Sequence, residues 1–238
     1  MRKGGDTRYR RQLHRRRRPG RRGESEGRRM KKRDLKGKAA MFWDKVSGFY
    51  GIFETGYNGK VYRGVGEKVA EEIEGTDVVL ECACGTGAIS RYIAPACKRL
   101  VATDFSAGML KQTVKHCHKY DNVTVERADI MQLTYDDAYF DKVVAANVIH
   151  LLEDPCAAVK ELERVCKRGG KIIIPTYINA SGGAGRKAVR LLALAGADFK
   201  RQFDMNSYRE FFEKAGYRNV DYSMIRGRMP CAIAVITK

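Results

Sequence analysis

Hydrophobic and polar positions beyond residue 40 follow two periods in turn. Residues 41–74 read as helical. Aromatic residues crowd the front (Phe42, Trp43, Phe49, Tyr50, Phe53, Tyr57, Tyr62), and Val65, Val69 and Ile73 then form a one-faced stripe ending at Gly75. After that, short apolar runs alternate with helical stripes. Thr76–Glu81, Leu100–Thr103, Asn122–Arg127 and Phe140–Ala146 predict four strands. Between them fall a short helix over Ala88–Ala94, stopping before Pro95, and a helix capped by Ser106 with Leu110, Val114 and Cys117 on one face. A further helix starts at the N-cap Asp154 with Pro155 behind it. It carries Val159, Leu162, Val165 and Cys166 as its stripe, Lys167 and Arg168 in its last turn, and Gly169 as terminator. Lys171–Ile174 reads as a buried strand. Residues 179–205 break the rhythm as a glycine-led insertion, partly helical over Val189–Ala195. Ser207 to Glu210 then predicts a capping box, its helix runs to Gly216, and Val220–Ile225 and Ala232–Ile236 follow as strands. The Arg226–Pro230 connection is too short for a crossover helix, so these two strands pair antiparallel.

This order predicts an α/β fold: a doubly wound, mostly parallel seven-stranded sheet with a C-terminal antiparallel strand. Ligands in such sheets bind beyond the carboxyl ends of the strands, where strand order reverses.

Charge divides the chain in two. Residues 1–38 hold 18 Lys and Arg against four acids, a balance of +14, whereas residues 39–238 balance at +4. With almost no apolar content, the first 38 residues predict a disordered basic extension. As functional readings, an arm for nucleic acid or another anionic surface and a transit peptide stand beside a plain solvated tail. Residues 39–238 form the folded domain, with 39–75 as a helical lid. No apolar run approaches the length of a membrane-spanning helix. Seven scattered cysteines, with Cys82 and Cys84 too close for a C-x-x-C site, predict reduced thiols in a cytoplasmic protein and no metal site.

The candidate chemistry gathers at strand ends. The turn Glu81-Cys-Ala-Cys-Gly-Thr-Gly87 is built of small residues at Ala83, Gly85 and Gly87, which let backbone approach a ligand, and the helix behind it offers free N–H groups. Asp104 ends the second strand, where a carboxylate can accept both hydroxyls of a ribose. Asp129 and Ile130 follow the third strand, at the place of an adenine ring. The G-x-G-x-x-G of a dinucleotide site is incomplete, with Ser90 at its third glycine, and the P-loop pattern is absent. The turn therefore suits a nucleoside ligand without phosphate.

These residues resemble class I S-adenosylmethionine-dependent methyltransferases, nearest the branch of ubiquinone/menaquinone biosynthesis methyltransferases. Glu81–Gly87 looks like their first motif, with Ala83 in place of a glycine. Asp104-Phe-Ser-Ala-Gly-Met-Leu110 is similar to their ribose-binding stretch, Ala128–Ile130 to the adenine contact, and Phe140–Asn147 and Lys167–Lys171 to later motifs. The resemblance covers roughly residues 41–238 and implies S-adenosyl-L-methionine as cofactor. It implies that Ala83, Cys84, Gly85 and Gly87 abut its methionine part and that Glu81 orients the turn or meets the amino group. Asp104 would hold the ribose, Met109 pack at the adenine, Asp129 accept the adenine amino group, and Asn147 line the cleft at the methyl donor.

The segment Asn147-Val-Ile-His150 lacks the N-P-P-Y pattern of enzymes that methylate exocyclic nitrogens of DNA. A small, apolar or aromatic methyl acceptor is the expectation, roofed by the aromatic N-terminal segment and residues 179–205. The alternatives are an rRNA or tRNA methyltransferase using residues 1–38 and a non-catalytic protein that keeps the cofactor fold. His150, three residues past Asn147, is the candidate catalytic base, since an ordinary histidine is mostly neutral at pH 7.

Overall fold

The computed structural model describes Gly37 and residues 40–48, 50–51, 53–179 and 198–238. The rest of the basic segment 1–38, Phe49 and the predicted helix Val189–Ala195 lie outside the described residues. Residues 38–238 cluster as one compact unit.

Residues 40–48 are helical (α1). A π-helical turn at Phe53–Tyr57 and the helix α2 (Gly59–Glu71) follow, so the stretch predicted as one helical run is broken in two. Then come β1 (Val78–Cys82), α3 (Ser90–Ile93), β2 (Arg99–Asp104), α4 (Ala107–Cys117), β3 (Val123–Arg127) and β4 (Phe140–Ala145). The chain continues through α5 (Pro155–Val165), β5 (Cys166–Tyr177), α6 (Met205–Lys214), β6 (Val220–Ile225) and β7 (Cys231–Thr237). The seven strands form one sheet in the order β3-β2-β1-β4-β5-β7-β6. Strands β1 to β5 pair in parallel, while β7 runs antiparallel to both β5 and β6. Strand order reverses between β1 and β4, which sets the ligand crevice at their carboxyl ends.

Both faces of the sheet are covered, which explains why the central strands read as unbroken apolar runs. Leu80, Val143, Ile172 and Ile174 point to the face under α5 and α6, where Leu162, Tyr208 and Phe212 are fully buried. Val79, Leu100, Val144 and Ile173 point to the other, against Val61, Val65 and Val69 of α2 and Ile93 of α3. Truncating one such residue to alanine typically costs about 2–5 kcal/mol. Among the described residues no helix is long and apolar enough to cross a membrane.

Several local expectations are corrected. Helix α4 buries Met109, Thr113 and Cys117, and Val114 is 55 % exposed. A hydroxyl stands in the buried stripe because Thr113 hydrogen-bonds the carbonyl oxygen of Gly85. Helix α5 ends at Val165, so Lys167 and Arg168 lie in β5. Gly169, at φ +73°, sits where the register of β5 against β4 shifts. The cap of α6 is Asp204. Its carboxylate accepts from the Ser207 amide while the Ser207 hydroxyl accepts from the Asp204 amide. Glu210, expected in that cap, pairs instead with Lys214 one turn on. A 3-10 turn carries the chain through Pro95.

Candidate functional site

Strand β1 delivers the chain into a turn with three left-handed residues: Ala83 (φ 54°), Gly85 (φ 58°) and Gly87 (φ 82°). Alanine in that region costs about 1–2 kcal/mol, which neighbouring structure must offset. A side chain at Gly87 would also press on the backbone of Thr113 at 3.2 Å. At Gly85 a side chain would meet nothing within 4 Å, so that side of the turn is open.

Hydrogen bonds tie this turn to the next strand end. The Gly85 amide donates to Asp104 Oδ2 (3.0 Å) and the Ser106 amide to Asp104 Oδ1 (2.8 Å). Asp104 is 6 % exposed; burial raises its pKa, and the backbone amides pull it back. The Thr113 hydroxyl donates to the Gly85 carbonyl (2.8 Å), and His116 Nδ1 meets the Thr86 carbonyl (2.7 Å). Beneath the turn, Ser90 Oγ donates to Glu81 (2.5 Å). Glu81 is 1 % exposed, and burial pushes its carboxyl up to about 8. Of its two expected roles, this geometry supports orienting the turn.

The other candidates fall around this knot. Cys84 is buried, its sulfur 3.5 Å from the Thr113 hydroxyl, and burial raises its thiol pKa well above the ordinary value. Met109 is buried, and its amide donates to Ser106 Oγ (3.1 Å). The Ala128 amide donates to the Asp104 carbonyl (3.2 Å), which brings Asp129 and the buried Ile130 beside Asp104. Asp129 Oδ1 accepts from the Met131 amide (3.0 Å), so this carboxylate also caps its own turn.

Asn147 and His150 belong to a second group. Asn147 is left-handed (φ 53°), a conformation asparagine tolerates, and its side chain accepts from the Tyr177 amide (3.1 Å). His150 is 5 % exposed. Its ring stacks on Phe199 at 5.6 Å and stands 6.4 Å from that of Tyr177. Burial pulls its pKa down to about 4. It is therefore neutral across the physiological range and a weaker base than an ordinary histidine.

Three further residues join the site without a signal in spacing or motif. Asp44 of α1 accepts from the Ser106 hydroxyl (2.6 Å) and the Gly108 amide (2.8 Å) at the start of α4. Glu54, in the π-helical turn, accepts from the Thr86 hydroxyl; it is 4 % exposed and burial lifts its carboxyl to about 7. Tyr177 packs its ring edge-on against Tyr62 at 6.1 Å, and Tyr62 in turn meets the hydroxyl of Tyr50 at 3.5 Å. The one hint for Glu54 is an acid set within an aromatic run. Among the described residues no group of three or more His, Cys, Asp or Glu is placed to hold a metal ion.

A family described as a methyltransferase domain matches residues 80–174. The chain is 31 % identical over 142 residues to a demethylmenaquinone methyltransferase of Clavibacter sepedonicus, covering 58 % of this chain and 57 % of that protein. It is 38 % identical over 101 residues to a ubiquinone/menaquinone biosynthesis C-methyltransferase of Bdellovibrio bacteriovorus, covering 41 % of this chain and 43 % of that protein. The chain thus spans about half the length of these curated relatives. A solved S-adenosylmethionine-dependent methyltransferase of Thermotoga maritima shares the fold, with a TM-score of 0.67 at 16 % identity over 83 % of this chain and 99 % of that one. Residues 80–174, which match that methyltransferase domain, contain the glycine-rich turn and Asp104 at the end of β2, within a seven-stranded sheet whose fold the solved Thermotoga maritima structure shares.

Proposed function

We propose that this chain transfers the methyl group of S-adenosylmethionine to a small apolar or aromatic acceptor. The observation that carries the reading is a run of rings beside the turn. Tyr50, Tyr62, Tyr177, His150 and Phe199 follow one another at contact distances, from the segment before α2, through α2, to the carboxyl ends of β5 and β4. Such a wall suits a flat apolar body. The names of the two quinone-pathway relatives agree with an acceptor of that kind.

The residues present fit the cofactor. The turn is open at Gly85, and a buried carboxylate stands beside that opening. Asp104 Oδ2 receives the Gly85 amide and Oδ1 the Ser106 amide, and the carboxylate, with about four lone-pair sites, has acceptor capacity left for a ribose hydroxyl. In this reading Ala83, Cys84, Gly85 and Gly87 border the methionine part. Met109 and Ile130 sandwich the adenine, Asp129 accepts from its amino group, and Asn147 borders the donor end. Glu81 holds the turn from below through Ser90.

The cofactor supplies a methyl group on a sulfonium, a carbon already activated for transfer. The chain then has to align the acceptor and keep water out, which proximity and burial achieve. Asp44 and Glu54 fasten the N-terminal segment over the turn and so close the site. His150 stands at the acceptor end as a neutral hydrogen-bonding group. Seven cysteines without a disulfide support a reducing compartment, the cytoplasm in this reading.

The test is incubation of the full chain with methyl-labelled cofactor and a metabolite extract. Label should appear in a product that partitions into organic solvent. Label found only in RNA would replace this reading with methylation through the basic segment. Cofactor binding without transfer to any acceptor would leave a non-catalytic protein.

A further inference from the structure

A cavity of about 300 Å³ lies between the N-terminal segment, the start of α3 and the exposed face of α4. Its volume is at the lower end of the roughly 300–1,000 Å³ of pockets that hold small molecules. None of the residues given above to the cofactor lines it.

The cavity carries charges of both signs. Glu54 and Thr86, 4 % and 1 % exposed, form its floor. Burial raises the Glu54 carboxyl to about 7, and Arg91 is the cation that opposes the rise. The rim holds Arg91, Gln112, Lys115 and His116, which are half-buried or exposed. Arg91 Nε donates to the Ala88 carbonyl (3.2 Å) and His116 Nδ1 to the Thr86 carbonyl (2.7 Å). Among the described residues, no hydrogen-bond or ion-pair partner meets the terminal guanidinium nitrogens of Arg91, the Lys115 ammonium, the Gln112 amide or His116 Nε2. An anion alone would bring its charge against Glu54, and a cation alone would face Arg91 and Lys115. A body that carries both charges suits both sides.

We propose that this cavity is a second ligand site, which takes a small zwitterion with its ammonium on Glu54 and its carboxylate on Arg91 and Lys115. Gln112 and His116 add hydrogen bonds at the rim. The site stands apart from the cofactor's and does not depend on the acceptor.

Calorimetry of the full chain, free and saturated with S-adenosylhomocysteine, tests this with glycine, γ-aminobutyrate and 6-aminohexanoate, which hold the two charges at increasing separations. At least one should bind saturably, at one molecule per chain and within about threefold in the two states. The amine and the carboxylate of matching length, each with one of the two charges, should bind at least about 10-fold more weakly. Lys115→Ala, which removes an exposed side chain, and Arg91→Gln should each weaken the zwitterion about 5- to 50-fold. Glu54→Gln should weaken the zwitterion and leave the carboxylate alone no weaker. Lys111→Ala, on the same helix but outside the cavity, should change affinity by less than about twofold. No saturable binding of the three probes, equal binding of the singly charged analogues, equal loss in Lys111→Ala, or displacement by S-adenosylhomocysteine would overturn the inference. Failure of S-adenosylhomocysteine to bind would count against the methyltransferase reading alone, and the titration of the free chain would still decide this one.

Discussion

Replacing Glu81 by glutamine should make the protein more stable at neutral to alkaline pH. Glu81 is 1 % exposed, and burial sets its folded pKa at about 8 against an ordinary 4.5, with the charges of Asp104 and Glu54 adding to the rise. Between those values the folded state binds a proton that the unfolded state has released. Stability is therefore fully present below about pH 4.5 and falls as pH rises toward 8. At about 1.4 kcal/mol per pH unit the ceiling is roughly 5 kcal/mol. Relaxation around a buried carboxylate lowers the realised value to about 2 kcal/mol. Glutamine keeps an acceptor for Ser90 Oγ and removes the ionisation. Urea unfolding at pH 5, 6.5 and 8 reads the effect. The wild-type chain should lose about 2 kcal/mol more than Glu81→Gln between pH 5 and 8. Parallel stability curves for the two proteins would refute the reasoning.

Three other outcomes follow from the same geometry. Gly87→Ala must place a side chain at φ +82° against Thr113, so it should lower stability by about 1–3 kcal/mol and the melting temperature by several degrees; an unchanged melt contradicts the strain. Asp44→Ala removes the acceptor for Ser106 Oγ and the Gly108 amide, so hydrogen exchange at Gly108 should quicken while global stability moves by less than about 1 kcal/mol, the pair being partly exposed. Deleting residues 1–38 should leave cofactor affinity within about twofold while sharply reducing any salt-dependent affinity for RNA; retained RNA affinity would place the basic contact in the folded domain.

Much of this architecture was legible in the chain because the signals were local. Buried central strands read as apolar runs, and Asp154 before Pro155 marked the start of α5. The strand-end acids Glu81 and Asp104 stood next to a glycine-rich turn, so their meeting followed from topology alone. What escaped the sequence depended on tertiary contact. Thr113 is polar by type but buried, because its hydroxyl serves the Gly85 carbonyl, and this displaced Val114 from the expected stripe. Asp44 and Glu54 reach the site from the segment before β1, and nothing in their spacing announces that return. His150 was expected with an ordinary pKa, since only the packed structure reveals the burial that pulls it to about 4. Tyr177 follows an apolar run and reads as the end of a strand, and only the packed structure sets its ring between those of Tyr62 and His150.

The central claim is that the glycine-rich turn and Asp104 form one nucleoside site for S-adenosylmethionine. Titration calorimetry of the full chain with S-adenosylhomocysteine, wild type beside Asp104→Asn, tests it most directly. Asparagine keeps an acceptor for only one of the Gly85 and Ser106 amides, and it removes the charge that strengthens the ribose hydrogen bonds. Wild type should bind one molecule per chain, and Asp104→Asn should stay folded, with a melting temperature lower by a few degrees for the amide left without an acceptor, and bind about 10- to several hundredfold more weakly. No heat in wild type, or equal affinity in the two proteins, would contradict the account.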